Sequence, residues 1–65
     1  MKYKGYFGTV EYDKEEKTWF GSIVFIKDTV IYDGDDMETL KQHFEESVDD
    51  YLIFQSLLDG LNNET

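Results

Sequence analysis

The sequence predicts an α+β fold, a three-stranded antiparallel meander followed by one long helix. Three observations carry that reading. Aromatic and β-branched runs fill the first half and are separated by short polar turns. A cluster of acids that favours a helix start stands at residues 33–38. Beyond it, apolar residues recur at helical rather than alternating spacing. With 65 residues the chain is a single domain, 1–65. A chain this short buries only about 60% of the surface its unfolded form exposes, so self-association is a common way to add buried area.

Residues 3–12, Tyr-Lys-Gly-Tyr-Phe-Gly-Thr-Val-Glu-Tyr, read as the first strand, with Gly5 and Gly8 marking a bend or a close approach. Asp13 to Lys17 is fully charged and reads as a hairpin loop. Residues 18–26, Thr-Trp-Phe-Gly-Ser-Ile-Val-Phe-Ile, make the second strand. Lys27-Asp28 is a tight polar turn, and Thr29 to Asp33 makes a short third strand. The connections are too short for parallel crossovers. The second strand is apolar on both faces: Trp19, Ile23 and Phe25 point one way, Phe20, Val24 and Ile26 the other. One helix covers one face. The other needs a further segment, a second subunit or a partner.

Gly34 ends the third strand. Asp35 stands three residues before Glu38, a spacing like that of a capping box, and Asp33, Asp35, Asp36 and Glu38 all suit the positive end of a helix dipole. The helix is expected from about Asp36 to about Leu58, with Gly60 as its stop. Met37, Leu40, Phe44, Val48, Tyr51 and Leu58 fall on one stripe, the core-facing side. Ile53, Leu57 and Leu61 recur every four residues on a separate stripe, with Phe54 alongside. Either the helix ends early and its tail folds back, or this stripe is an exposed strip that packs against another chain. Glu38, Gln42, Glu45, Glu46, Asp49 and Asp50 lie away from the core stripe and form a largely anionic surface.

The net charge of −9 is unevenly placed. Residues 1–32 carry five acids and five lysines, whereas residues 33–65 carry ten acids and one base, Lys41. No arginine is present. Binding a phosphate backbone needs clustered Lys or Arg, so direct nucleic-acid binding is disfavoured. A basic protein partner fits better, because opposite fields steer encounter; the acids also serve to keep a small domain soluble. Eleven aromatic residues exclude a disordered chain. No apolar run approaches the roughly 20 residues that span a bilayer, and no signal peptide is expected. These features, with the absence of cysteine, place the chain in the cytoplasm as an expectation.

The candidate sites for chemistry are weak. Glu11 with Asp13, and Asp33 with Asp35 and Asp36, could mark a metal-dependent pair, but the spacing has no signature. A hairpin loop accounts for the first group and helix capping for the second. His43 is the sole histidine and lies near the edge of the helix stripe. No nucleophile–base pairing and no phosphate-binding loop is legible. Trp19 and the tyrosines could stack on bases, but the basic groove that mode needs is missing. No catalytic residue, metal or cofactor is expected.

At this point the residues show a family likeness. Tyr3-Lys4-Gly5-Tyr6-Phe7-Gly8-Thr9-Val10-Glu11-Tyr12-Asp13 resembles the opening of HicB-type antitoxins. Asp33-Gly34-Asp35-Asp36-Met37-Glu38-Thr39-Leu40 resembles that family's strand-to-helix junction. The strongest match is Phe44-Glu45-Glu46-Ser47-Val48-Asp49-Asp50-Tyr51-Leu52, because a Val-Asp-Asp-Tyr-Leu ending on the helix is close to a family hallmark. The likeness spans about residues 1–55. It implies a truncated RNase H-like fold without the nuclease site, assembly as dimers or larger oligomers, and neutralisation of a small basic RNA-cleaving toxin, HicA, by covering its active surface. Fuller HicB proteins continue into a further strand and a C-terminal DNA-binding domain. No such domain is expected in this chain, which carries no basic helix.

Two functions from different classes follow. The first is an antitoxin that neutralises a HicA-like toxin by occlusion, held at Glu46, Asp50, Ile53, Leu57 and Leu61. The second is a stand-alone acidic oligomerisation module without a toxin. A homodimer or larger homo-oligomer is expected in either case.

Overall fold

The computed structural model describes the backbone of residues 1–62 and the side chains of residues 1–59. The fold is α+β, an antiparallel sheet followed by one C-terminal helix. The sheet has five short strands rather than three: β1 (Lys2–Tyr3), β2 (Tyr6–Gly8), β3 (Glu11–Asp13), β4 (Thr18–Val24) and β5 (Ile31–Gly34). The helix is α1 (Met37–Asn62).

The expected first strand, 3–12, breaks twice, each time for a local reason. Lys4 and Gly5 both have positive φ, 51° and 84°. Two consecutive positive φ values make a two-residue hairpin turn whose twist suits the flanking strands. Lys2 therefore pairs with Phe7 and Tyr3 with Tyr6. The second break, at Thr9 and Val10, interrupts strand geometry without shifting register. Gly8 pairs with Ile23 above it and Glu11 with Phe20 below it, the same offset along β4. The Thr9 N–H still donates to the Ser22 carbonyl at 3.0 Å. The Ser22 N–H, however, donates to the Thr9 hydroxyl at 2.9 Å instead of to its main-chain carbonyl. That freed carbonyl accepts from the Tyr32 hydroxyl at 2.9 Å.

β4 is the central strand, with β2 and β3 along one edge and β5 along the other. It ends at Val24, two residues short of the expectation, because Phe25 takes φ 64°. The reversal changes the faces. Phe25 is 91% exposed, and Ile26, expected on the opposite side from Ile23, packs against the core instead. The third strand runs from Ile31 to Gly34 rather than from Thr29 to Asp33. Gly34 is paired with Trp19 and lies so close to the helix that a Cβ there would stand 2.6 Å from the Leu40 nitrogen.

The helix cap is Asp36, not Asp35. The Thr39 N–H donates to Asp36 Oδ1 at 2.7 Å, which satisfies one of the open donors of the first turn, and the Leu40 N–H donates to the Asp36 carbonyl at 2.9 Å, the first main-chain bond of the helix. The expected stop at Gly60 is also corrected. The helix runs through it to Asn62, since glycine ends a helix only where it adopts a left-handed conformation and otherwise merely weakens it.

The core lies between the sheet and the first half of α1. Ile23, Tyr32, Leu40, Phe44 and Val48 are buried, with Trp19, Ile26 and Leu52 packed around them. Met37 and Leu58, expected on the core stripe, are 43% and 38% exposed. The sheet is too short to reach Leu58, since α1 is about 39 Å long at 1.5 Å per residue in a molecule of 49 × 17 × 16 Å, whereas Met37 stands at the opening of the helix, one turn before Leu40.

Tyr32 ties the sheet together beneath two glycines. A Cβ on Gly8 would stand 2.2 Å from the Tyr32 hydroxyl, and one on Gly21 would stand 2.0 Å from the Thr9 carbonyl oxygen. Tyr32→Phe leaves that carbonyl without its donor, at a cost of about 1–3 kcal/mol. Gly21→Ala costs more, because it meets main chain that has nowhere to move. Urea unfolding followed by circular dichroism should give midpoints in the order wild type, Tyr32→Phe, Gly21→Ala.

Candidate functional site

The residues expected to hold a partner lie on α1. At 100° per residue, Glu46, Asp50, Ile53 and Leu57 fall within an arc of about 60°, on the far side of the helix from Leu40, Phe44 and Val48. All four are exposed, Ile53 at 59% and Leu57 at 64%. The strip is about 16 Å long at 1.5 Å per residue, acidic toward the sheet and apolar toward the helix end. The side chain of Leu61 lies outside the described residues. The helix does not end early, so the reading in which this segment folds back is corrected. It projects beyond the core as continuous helix.

Phe54 and Leu58 extend the apolar surface around one flank, at 51% and 38% exposure. Between that flank and the loop before β5 lies a shallow groove of about 400 Å³, lined by Asp28, Val30, Ser47, Asp50, Tyr51 and Phe54. Desolvation raises the Tyr51 phenol above its ordinary pKa, and the Asp28 carboxylate beside it adds to the effect. The groove thus has aromatic walls and two carboxylates at its rim. Sequence reasoning placed Asp50 and Phe54 on the helix but missed Asp28, because its approach depends on the course of the loop after Phe25.

One member of the expected anionic surface is not free. Asp49 turns toward the β1–β2 hairpin, where its Oδ1 pairs with Lys4 Nζ at 2.7 Å and its Oδ2 accepts from the Tyr3 hydroxyl at 3.2 Å. Hydrogen bonding from Lys4 holds the Asp49 carboxyl below the ordinary carboxylate range, and Asp49 in turn raises Lys4. Tyr51 packs edge-on against Tyr6, with ring centroids 5.9 Å apart. Within Val48–Leu52, then, Val48 fills the core, Leu52 packs beside it, and Asp49 and Tyr51 dock the hairpin, while Asp50 faces solvent.

Two of the five carboxylates considered for chemistry, Asp13 and Asp36, have structural duties. Asp13 Oδ1 accepts from the N–H groups of Glu15 and Glu16 at 2.9 and 3.3 Å, closing the loop before β4. Asp36 caps α1. Its carboxyl is lowered first by the hydrogen bond from the Thr39 backbone. His43 Nδ1–H donates to the Asp33 carbonyl, joining α1 to β5. Among the described residues, no group of three or more His, Cys, Asp or Glu side chains could hold a metal ion. Among the same residues, no helix is long and apolar enough to cross a membrane.

The sign of the acid dependence follows from these shifts. Carboxyls lowered on folding stabilise the protein above the ordinary value of 3.8, and that contribution is lost as pH falls below it. Lys4, raised above 10.5, contributes below that value and loses its contribution above it. Thermal unfolding followed against pH should therefore show an acid limb that is shallower in both Asp36→Asn and Asp49→Asn. Only Asp49→Asn should also alter the alkaline limb.

No protein-family model, curated protein or solved structure matches this chain, so its function is read from its own residues and their placement.

Proposed function

We propose that the chain is a HicB-like antitoxin domain of truncated RNase H-like type, which neutralises a small basic RNA-cleaving toxin of the HicA kind by covering its active surface. It acts by occlusion and has no catalysis of its own. One observation carries the reading: the exposed strip in which Glu46 and Asp50 lead into Ile53 and Leu57 on a helix that overhangs its core. Isolated helical turns are marginal in water, and an apolar surface at a free helix end favours a partner. The acids beside it suit a basic one. The helix also carries much of the charge excess, with six acids between Glu38 and Asp59 against Lys41 alone. Val48 in the core and Asp49 and Tyr51 against the hairpin give the family-like run a structural reason. In this reading the protein is cytoplasmic, assembles as a homodimer or larger homo-oligomer, and binds no nucleic acid directly.

The test is inhibition of a purified HicA-like ribonuclease. Increasing amounts of the chain should abolish RNA cleavage at a fixed stoichiometry, and co-expression should restore growth. Uninhibited cleavage with no complex on gel filtration overturns the reading in favour of a stand-alone oligomerisation module.

Two expectations follow for the interface. Rim charges act mainly on association and buried anchors mainly on dissociation. Glu46→Lys with Asp50→Lys should slow toxin binding and flatten its salt dependence. Leu57→Ala should leave association nearly unchanged and hasten dissociation, weakening the complex by about 1–2 kcal/mol; surface plasmon resonance separates the two effects. Fluorescence anisotropy should show no salt-sensitive binding of the pure chain to duplex DNA, as expected of a chain with net charge −9 and no arginine.

A further inference from the structure

The face of the sheet turned away from α1 is apolar, and no element covers it among the described residues. Side chains alternate along β4, so Ile23 faces the helix while Phe20, Ser22 and Val24 face outward. Their partners Glu11, Phe7 and Ile31 share that outer face. Phe7 is 45%, Phe20 40% and Ile31 74% exposed. Phe25, turned out by its positive φ, joins them, with its ring edge-on to Phe7 at 6.2 Å. Lys2 lies on the same face, its Nζ 5.4 Å from the centre of the Phe7 ring.

We propose that this outer face is the interface between two copies of the chain, packed sheet against sheet with their strands antiparallel. The proposal rests on the homodimer reading above and not on the existence of a toxin. Two arguments choose a second copy as the occupant. The first is charge. The whole excess of −9 resides in residues 33–65, whereas residues 1–32, which build most of the sheet, are balanced at five acids and five lysines. Two copies that meet through their sheets keep their acidic helices on opposite outer sides, where mutual repulsion is weakest. The second is area. A fully exposed aromatic side chain offers about 200 Å², so Phe7, Phe20, Phe25 and Ile31 together present roughly 500 Å². Homodimer interfaces are about 65% apolar, so with its polar surroundings this corresponds to roughly 800 Å² per partner, the size of a standard specific interface.

Charge also selects the orientation. Along the strands, Lys2 lies at one end of the outer face, level with Phe7 and Val24, while Glu11 and Asp33 flank Phe20 at the other. A two-fold axis parallel to the strands would bring Glu11 over the partner's Asp33. An axis across the strands, near Ser22, brings Lys2 of each copy toward Glu11 of the other and sets Val24 over Phe20. Aligned sheets pack about 10 Å apart with strand directions about 30° from each other, which long side chains such as Lys2 and Glu11 can bridge.

Sedimentation equilibrium at micromolar concentration tests this. The wild type should be a dimer. Ile31→Lys with Phe25→Asn should be a monomer with an unchanged circular dichroism spectrum. Both residues are mostly exposed, asparagine tolerates positive φ, and the added lysine lowers the net charge, so repulsion cannot explain the dissociation. Lys2→Glu and Glu11→Lys should each weaken the dimer about tenfold, and the double exchange should restore it. The chain has no cysteine, so Ser22→Cys should give a covalent dimer with a short bis-maleimide, while Ser56→Cys, exposed on α1, should not. A wild-type monomer overturns the homodimer reading and this interface with it. A dimer that survives the Ile31→Lys, Phe25→Asn exchange and cross-links through Ser56→Cys overturns the interface alone and assigns the contact to the helix strip.

Discussion

The Tyr32 hydroxyl is the contact on which the sheet and its cover both depend. At Thr9 the strand gives up an ordinary ladder bond, because the Ser22 N–H takes the threonine hydroxyl and not the main-chain carbonyl. A part-buried carbonyl without a donor is costly. Tyr32, reaching across from β5, supplies the donor. It can do so only because Gly8 and Gly21 leave room on the helix-facing side. The same ring packs against Phe44, with centroids 5.3 Å apart. One side chain thus joins the break between β2 and β3 to β4, β5 and α1, within a core of five buried residues among those described.

That economy of core explains why so much apolar surface is left over. The sheet offers two apolar faces and α1 can occupy only one of them. The helix in turn is longer than the sheet and can bury only its first half. Two surfaces therefore remain, and they differ in electrostatic character. The outer sheet face sets Lys2 against Glu11 and Asp33, while α1 carries six acids between Glu38 and Asp59 against Lys41 alone. Like surfaces associate most readily where they repel least, and a basic partner is drawn to where the field is strongest. The two proposed contacts follow this segregation, a second copy on the sheet face and a basic partner on the helix.

Much of this was legible in the sequence. The fold class and the long helix followed from periodicity, and the double-sided apolar pattern of 18–26 already implied an uncovered face. Leu40, Phe44 and Val48 were readable as core because their spacing is fixed by the helix alone. What failed depends on backbone conformations that single residues do not announce. Lys4 and Phe25 adopt positive φ although neither is glycine or asparagine, and each redirects the chain: one makes a hairpin of the expected first strand, the other moves Phe25 outward and Ile26 inward. Asp35 and Asp36 are adjacent and chemically equivalent, so residue type alone does not choose the cap. Asp49 looked like one more surface acid on a helix and is instead the anchor of the hairpin, a contact separated by 45 residues from Lys4. The candidate strip was legible because Glu46, Asp50, Ile53 and Leu57 share one helix face, whereas the groove beside it was not, since Asp28 reaches it from a loop.

The hairpin anchor also constrains how the two surfaces communicate. Tyr3, Lys4 and Tyr6 hold α1 through Asp49 and Tyr51, and the same hairpin carries Lys2 and Phe7 on the outer face. Asp50, next in the chain to both helix contacts, lines the groove and begins the exposed strip. The hairpin β1–β2 and a single helical turn thus lie between the two surfaces. If a second copy covered the outer face, as proposed, it would restrain the hairpin, and through Asp49 and Tyr51 the turn that presents Asp50. Less conformational entropy would then remain to be lost on covering the helix strip.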